Sequence, residues 1–241
     1  VEADGATLLN LVEGAVELRT GNDTASLTNG QQVVIRPGQP PAVSAALPVV
    51  NLIQWCFYYP GVLNPADLAL TDAAKTTLAK SLAAYRDGDL LAARAELPEN
   101  FAANSDATRL YAAALKLAVG QVADAEQILA SFASDAPSAG ALRELVAAVK
   151  FQTTPTRHNH ENSGDWLADS YYLQSKSLLP AALASARRAT ELAPDFGFAW
   201  ARVAELEFDF GHHAAARRAL NKARQLSPRH AQAVALEGFI A

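Results

Sequence analysis

Two short groups of histidines are the first candidates for chemistry in this sequence. They are His158 and His160, which stand beside Glu161 and Asp165 in a polar stretch, and the adjacent pair His212 and His213. Imidazole and carboxylate groups together can hold a metal ion. Neither group places two imidazoles at positions i and i+4, the spacing that puts both on one face of a helix. We therefore expect no metal site and no cofactor, a solvated loop for the first group and an exposed turn for the second.

Carboxylates are the next candidates. Glu205 and Asp209 are four residues apart and share a helix face, with Glu207 between them. A glycosidase-like pair also needs an enclosing cleft and a raised pKa on one member, and the sequence indicates neither. We interpret these carboxylates as a polar stripe that faces solvent or a bound peptide. Cys56 lies among apolar residues, which favours an inert, packed thiol.

The sequence predicts that the chain is not an enzyme, because it lacks a Gly-x-Ser-x-Gly nucleophile motif, a phosphate-binding glycine loop and a zincin motif. Its 241 residues are 50% hydrophobic with a net charge of −5. That composition is enough for one large domain or two smaller ones, and the negative charge argues against a nucleic-acid partner. The longest apolar run, residues 48–62, is too short and too interrupted to cross a bilayer, so we expect no membrane insertion.

The elements that would position these residues change in kind near residue 48. Residues 7–46 form short β-rich runs separated by Gly and Asn turns, a pattern typical of small antiparallel structure. An aromatic cluster at residues 51–60 follows, and we interpret it as a packing joint rather than an exposed binding patch. From Leu68 onward the sequence is rich in Ala and Leu with a helical period.

The helical part repeats itself at a fixed offset of 34 residues. Five pairs of residues carry the repeat: Trp166 and Trp200, Ala182 and Ala216, Ala189 and Ala223, Leu192 and Leu226, and Pro194 and Pro228. The paired alanines let two helices approach closely, and each proline follows the end of a second helix. This period and these positions resemble tetratricopeptide (TPR) repeats, which are helix hairpins stacked into a solenoid.

The TPR resemblance divides the chain into segments. They are a small antiparallel β segment at 1–47, the aromatic joint at 48–67, and helical repeats over 68–241, with a degenerate repeat at 68–105, a repeat at 106–139, an irregular insertion at 140–162, two well-matched repeats at 163–196 and 197–230, and a truncated one at 231–241. The expected fold is therefore mainly α, a TPR-type α-solenoid with a small β segment. The chain has no Met and ends inside an apolar run, so we expect a piece of a longer protein.

The β segment resembles the end of a FecR-type domain. The resemblance lies in residues 9–18, which contain the turn at Gly14, and in residues 27–33, which contain the turn at Gly30. FecR-type domains are periplasmic modules of Gram-negative bacteria, and some regulate sigma factors and iron uptake. The resemblance implies a periplasmic or outer-membrane-associated protein.

A TPR array implies a concave surface lined by the first helix of each repeat. The repeat frame assigns the following residues to that surface: Leu167, Tyr171 and Gln174 in one repeat, Arg202, Glu205, Phe208 and Asp209 in the next, and Gln232 and Phe239 in the partial one. Aromatic side chains beside polar groups suit an extended peptide or a helix. The two aromatic side chains Tyr171 and Phe208 could equally pack between helices.

Three functions remain open on the sequence alone. The first is a non-catalytic scaffold of the bacterial envelope that binds a protein or peptide in the concave surface. The second is a FecR-type periplasmic regulator of a sigma-factor or uptake system, which needs a transmembrane or cytoplasmic segment outside this chain. The third is a hydrolase or carbohydrate-active enzyme, disfavoured because its motifs are absent.

Overall fold

The computed structural model of the chain describes residues 7–11, 15–20, 23–28, 31–45, 61–98, 105–133, 136, 138–150, 152 and 160–240. The chain divides into two compact units, Val1–Tyr58 and Tyr59–Ala241. The boundary falls inside the segment 48–67, where the sequence predicts a joint. The aromatic cluster at 51–60 and Cys56 within it lie outside the described residues.

The described part of the first unit is a small antiparallel β structure. Its strands are β1 (Thr7–Leu11), β2 (Ala15–Thr20), β3 (Asp23–Thr28), β4 (Gln31–Ile35) and β5 (Ala42–Ala45). One sheet has the order β1-β4-β5, and β2 pairs with β3 in a second sheet. Leu9 lies opposite Val33, and Val16 lies opposite Leu27. The alternation of β3 turns Ala25 and Leu27 inward.

The second unit is helical. Its described helices are α1 (Asp72–Thr77), α2 (Ala79–Asp87), α3 (Leu90–Ala95), α4 (Asp106–Ala118), α5 (Val122–Leu129), α6 (Ala139–Val149), α7 (Ser163–Ser175), α8 (Leu179–Leu192), α9 (Gly197–Asp209), α10 (His213–Leu226) and α11 (Ala231–Ile240). A mainly helical chain with a small antiparallel N-terminal segment is confirmed.

One turn type closes four helix pairs, α2–α3, α4–α5, α7–α8 and α9–α10. The residues with positive φ in these turns are Gly88, Gly120, Ser177 and Gly211. At the first of them the N–H of Gly88 donates to the carbonyl of Tyr85, and the N–H of Asp89 donates to that of Ala84. The same pair of bonds recurs in the other three turns. It satisfies carbonyls that a helix end leaves without partners, and it returns the chain as an antiparallel helix.

Two helix pairs repeat with the 34-residue offset seen in the sequence. Helices α7 and α9 have equal length and start 34 residues apart, and so do α8 and α10. Trp166 and Trp200 are both the fourth residue of their helices. The indole of Trp166 stacks on His160, and the indole N–H of Trp200 donates to the carbonyl of Pro194. Each tryptophan thus contacts the residue six positions before it.

Aromatic side chains join the early helices to the late ones. Tyr85 of α2 stacks on Phe198 of α9 with ring centroids 5.3 Å apart, and Phe198 meets His230 edge-on at 4.5 Å. The hydroxyl of Tyr85 donates to the carbonyl of Leu63 over 2.7 Å. Tyr111 of α4 lies 5.9 Å from Tyr85, and all four rings are nearly inaccessible to solvent. These contacts form an aromatic core between elements that lie far apart in sequence.

Hydrogen bonds at the turn before α11 also join the late helices to the end of α2. The Ser227 hydroxyl donates to the carbonyl of Arg86 over 2.7 Å, and the N–H of Arg229 donates to the carbonyl of Asp87 over 2.7 Å. The chain therefore covers the N-terminal ends of α9 and α11 with its own residues. No helix in the described part of the chain is long and apolar enough to cross a lipid bilayer.

Candidate functional site

The centre of the predicted binding surface is a buried arginine. Arg202 of α9 is only 1% exposed. Its Nε donates to the Ser170 hydroxyl over 3.0 Å, its Nη2 donates to the Ser170 carbonyl over 3.2 Å, and its Nη1 pairs with Glu205 over 2.9 Å. A desolvated guanidinium is tolerated because its donors are used by oxygen acceptors. Arg202 fixes α9 against α7 and is not available to a ligand at the surface.

Tyr171 lies over this guanidinium. Its ring centroid is 4.0 Å from the Arg202 Cζ, a cation–π contact. The Tyr171 hydroxyl donates to Gln232 of α11 over 3.4 Å, and the side chain packs against a small buried cluster of Ala147, Ala148 and Tyr172. Tyr171 is half-buried.

Glu205 and Asp209 form an acidic pair one helical turn apart on α9. The Glu205 side chain is 34% exposed, and Asp209 is exposed. Partial burial, together with the charge of Glu205, raises the pKa of Asp209 above its ordinary value. The pair therefore has a raised pKa on one member, but Asp209 is exposed rather than enclosed in a cleft. We call Tyr171, Glu205 and Asp209 the acidic–aromatic patch.

The other residues assigned to the concave surface are placed differently. Leu167 is fully buried and offers no surface to a partner. Phe208 is half-buried, and its ring meets His213 at the start of α10 with centroids 5.5 Å apart. Gln174 is half-buried at the end of α7. The structure therefore brings Tyr171, Arg202, Glu205 and Asp209 together and uses Leu167 as core.

Glu207 does not belong to the polar stripe in which the sequence placed it. It is 3% exposed, and its carboxylate accepts a bond from Arg187 over 2.5 Å and meets His212 Nδ1 at 2.8 Å. Burial alone would raise the pKa of Glu207, but the bonds from Arg187 and His212 outweigh burial and leave that pKa lowered. The side chain faces α8 and the turn before α10, on another side of α9 from Glu205. His212 and His213 are exposed, as predicted for a turn.

The histidines and carboxylates of residues 158–165 are also arranged differently from the sequence pattern. His158 lies outside the described residues, and Glu161 is exposed. Asp165 is fully buried, and its carboxylate accepts the backbone N–H groups of Ser138, Glu161 and Asn162. It completes a capping box with Asn162 at the start of α7, which is a structural role.

His160 instead meets two carboxylates that the sequence reasoning passed over. Glu144 of α6 and Asp169 of α7 each face its imidazole. The carboxylate of Glu144 raises the pKa of His160, and burial opposes that change. We call Glu144, His160 and Asp169 the Glu–His–Asp cluster.

Of the residues that sequence reasoning missed, Asp169 could have been found from the repeat. Asp169 occupies the position of Val203 in the following repeat, so a charged residue stands where its counterpart is a buried apolar one. Ser170, which anchors Arg202, occupies the position of Ala204. Both residues are small and buried, so the repeat does not single out Ser170. Glu144 belongs to no aligned repeat and gave no such signal.

No protein-family model matches the chain, and neither a curated protein nor a solved structure shows significant similarity to it. Its function must therefore be inferred from its own residues.

Proposed function

We propose that the chain is a non-catalytic binding scaffold built from TPR-like helix hairpins in a solenoid arrangement, and that it binds a peptide segment carrying Lys or Arg. The observation that carries this proposal is the acidic–aromatic patch. It combines two carboxylates and a tyrosine on the C-terminal halves of α7 and α9. Asp209 is exposed, and Glu205 and Tyr171 are half-buried, whereas the N-terminal end of α9 is covered by the chain's own residues.

The charges of the patch favour a basic ligand. Arg202 is already paired with Glu205, so the charge of Asp209 is the excess charge on this face of α9. A guanidinium or ammonium group beside Asp209 would relieve the repulsion between the two carboxylates. Tyr171 offers an adjacent aromatic surface for an apolar or cationic side chain.

The wider assignment rests on the resemblances. Four helix hairpins with the same turn support a TPR-like array, which uses its first helices for partner binding. The FecR-like segment is the reason for proposing a place in the bacterial envelope. The exposure of Asp209 supports binding rather than catalysis, because a reactive acid pair needs a cleft that excludes water.

Fluorescence polarisation with synthetic peptides tests the proposal. The probes are short peptides with two arginines around a leucine and the same peptides with glutamate in place of arginine. We expect saturable binding of the arginine peptides alone, weakening as salt rises. Asp209→Asn removes one charge and is expected to reduce affinity about 3- to 10-fold. Tyr171→Ala removes the aromatic surface of the patch and is expected to weaken binding further.

The matched control is Glu191→Gln. Glu191 is an exposed carboxylate on α8 that pairs with Arg188 over 2.8 Å, so its loss changes the net charge equally but away from the patch. We expect unchanged affinity in this variant. Equal weakening by Glu191→Gln and Asp209→Asn, or equal binding of both peptide sets, would disprove the assignment of the patch as a binding surface.

A further inference from the structure

The Glu–His–Asp cluster has the geometry of a metal-ligand set. His160 Nε2 lies 3.8 Å from Glu144 Oε2 and 3.6 Å from Asp169 Oδ1. The three ligand atoms all lie within 4.8 Å of one another. A tetrahedral ion with bonds of about 2.1 Å separates its ligand atoms by roughly 3.4 Å, so these separations need to shorten by at most about 1.4 Å to bring all three atoms onto one ion.

Neighbouring side chains hold these ligands in place. The Ser185 hydroxyl of α8 donates to Asp169 Oδ2 over 2.6 Å, and Oδ1 of the same carboxylate faces His160. Trp166 stacks on the His160 ring with centroids 4.8 Å apart, which fixes the plane of the imidazole. Outer partners that orient ligand atoms in this way are a common feature of metal sites.

The carboxylates of the cluster are removed from solvent. The side chains of Glu144 and Asp169 are 2% and 5% exposed. Of the residues that the structure describes, none makes a hydrogen bond to Glu144 Oε2. A buried carboxylate oxygen without a hydrogen bond is costly, and a divalent cation would neutralise both acids at once.

The next repeat shows that the fold does not need these polar groups. The positions of Asp169 and Ser185 are taken there by Val203 and Ala219, both buried. The position of His160 is taken by Pro194. The same helix packing is thus achieved with apolar residues, so the polar set calls for an explanation other than packing.

We propose that Glu144, His160 and Asp169 bind one divalent transition-metal ion, of the Zn²⁺ or Mn²⁺ class, with water completing the coordination. One imidazole and two carboxylates suit these ions, whereas Ca²⁺ and Mg²⁺ prefer oxygen ligands alone. The ion would join α6, α7 and the segment before α7, and so fix the position of α7. This site is independent of the peptide proposal, because it shares no residue with the acidic–aromatic patch.

Isothermal titration of the untagged chain, freed of metal with a chelator and desalted, tests the site. We expect Zn²⁺, Mn²⁺ or Co²⁺ to bind with one equivalent per chain, and Co²⁺ to give a visible absorption band. At a hundredfold excess of ion over its dissociation constant, the melting temperature is expected to rise by about 5–10 °C. Glu144→Gln and Asp169→Asn should abolish both the binding and the rise.

Two features keep the test decisive. Glu144→Gln keeps the side-chain shape and removes a buried charge, so the metal-free variant should melt no lower than the parent and its lost binding reports ligand loss. The double variant His212→Asn with His213→Asn removes the exposed histidine pair, the obvious adventitious site, and should bind metal normally. The proposal is overturned if none of the three ions binds, if both carboxylate variants bind unchanged, or if only the double variant loses binding.

Discussion

The guanidinium of Arg202 lies 4.0 Å from the ring centroid of Tyr171, across the contact between α7 and α9. This single charged group connects the buried and the exposed parts of the candidate site. Beneath the tyrosine it is held by both oxygen atoms of Ser170, and beside it by Glu205. The acidic–aromatic patch therefore depends on a residue that no partner can touch.

We expect Arg202→Ala to destabilise the helical unit by about 3 kcal/mol, because it empties a buried position and leaves the Ser170 oxygens and Glu205 without their donor. Arg202→Lys keeps the charge but not the planar set of donors, so a smaller loss of about 1–2 kcal/mol is expected. Urea unfolding followed by the far-ultraviolet helical signal measures the unfolding free energies of both variants.

The control Arg188→Ala removes an exposed ion pair with Glu191 and should change the unfolding free energy by less than about 0.5 kcal/mol. Losses of similar size in the Arg188 and Arg202 variants would contradict the role given to Arg202.

His230 should make stability fall in acid. It is 1% exposed, and burial lowers its pKa to about 4, from an ordinary value of 6.5. Its Nδ1 accepts the N–H of Ala233 over 3.3 Å, a bond that requires an unprotonated nitrogen. Between these two pKa values the unfolded chain binds the proton and the folded chain does not, so stability decreases as pH falls from 6.5 towards 4. Across this pH range the unfolding free energy is expected to fall by up to about 3 kcal/mol.

The measurement is the slope of unfolding free energy against pH for the parent and for His230→Asn. Asparagine can still accept the Ala233 N–H but does not titrate, so the variant is expected to lose overall stability and to show a shallower slope. His213→Asn removes an exposed imidazole and should leave the slope as it is. An unchanged slope in His230→Asn would assign the acid sensitivity to other groups.

The helix pairs of residues 163–230 were predictable because their information is local and repeated. Small residues such as Ala182 and Ala216 sit at the same place in each pair, and both are fully buried. The antiparallel strands were likewise predictable from alternation and turn residues. In both cases each helix or strand can be predicted from residues that lie close together in the sequence.

The contacts that complete the candidate sites cannot be predicted from such sequence patterns. Tyr85 and Phe198 stack across more than a hundred residues of chain, and no periodicity pairs them. Glu144 and Asp169 meet because α6 packs on α7, which follows from tertiary structure rather than from spacing. Glu207 was assigned to the wrong side of α9 because helical spacing does not reveal that Arg187 of α8 pairs with it.

Alanine substitutions at two glycines in equivalent turns test how much the contact between the early and the late helices contributes to stability. Gly88 and Gly120 both have positive φ, at 88° and 80°. A Cβ on Gly120 meets no atom within 4 Å, so Gly120→Ala is expected to cost only the strain of the left-handed backbone, about 1 kcal/mol. A Cβ on Gly88 would lie 2.5 Å from the backbone nitrogen of His230, which cannot move without opening the turn before α11. Gly88→Ala should therefore lower the free energy of unfolding in urea by about 3 kcal/mol or more.

Hydrogen exchange checks the same contact directly. Gly88→Ala should speed the amide exchange of Arg229, whose N–H donates to Asp87, while Gly120→Ala should leave that amide protected. Equal losses of stability in the two variants, with Arg229 equally protected, would show that the α2–α3 turn does not hold the start of α11.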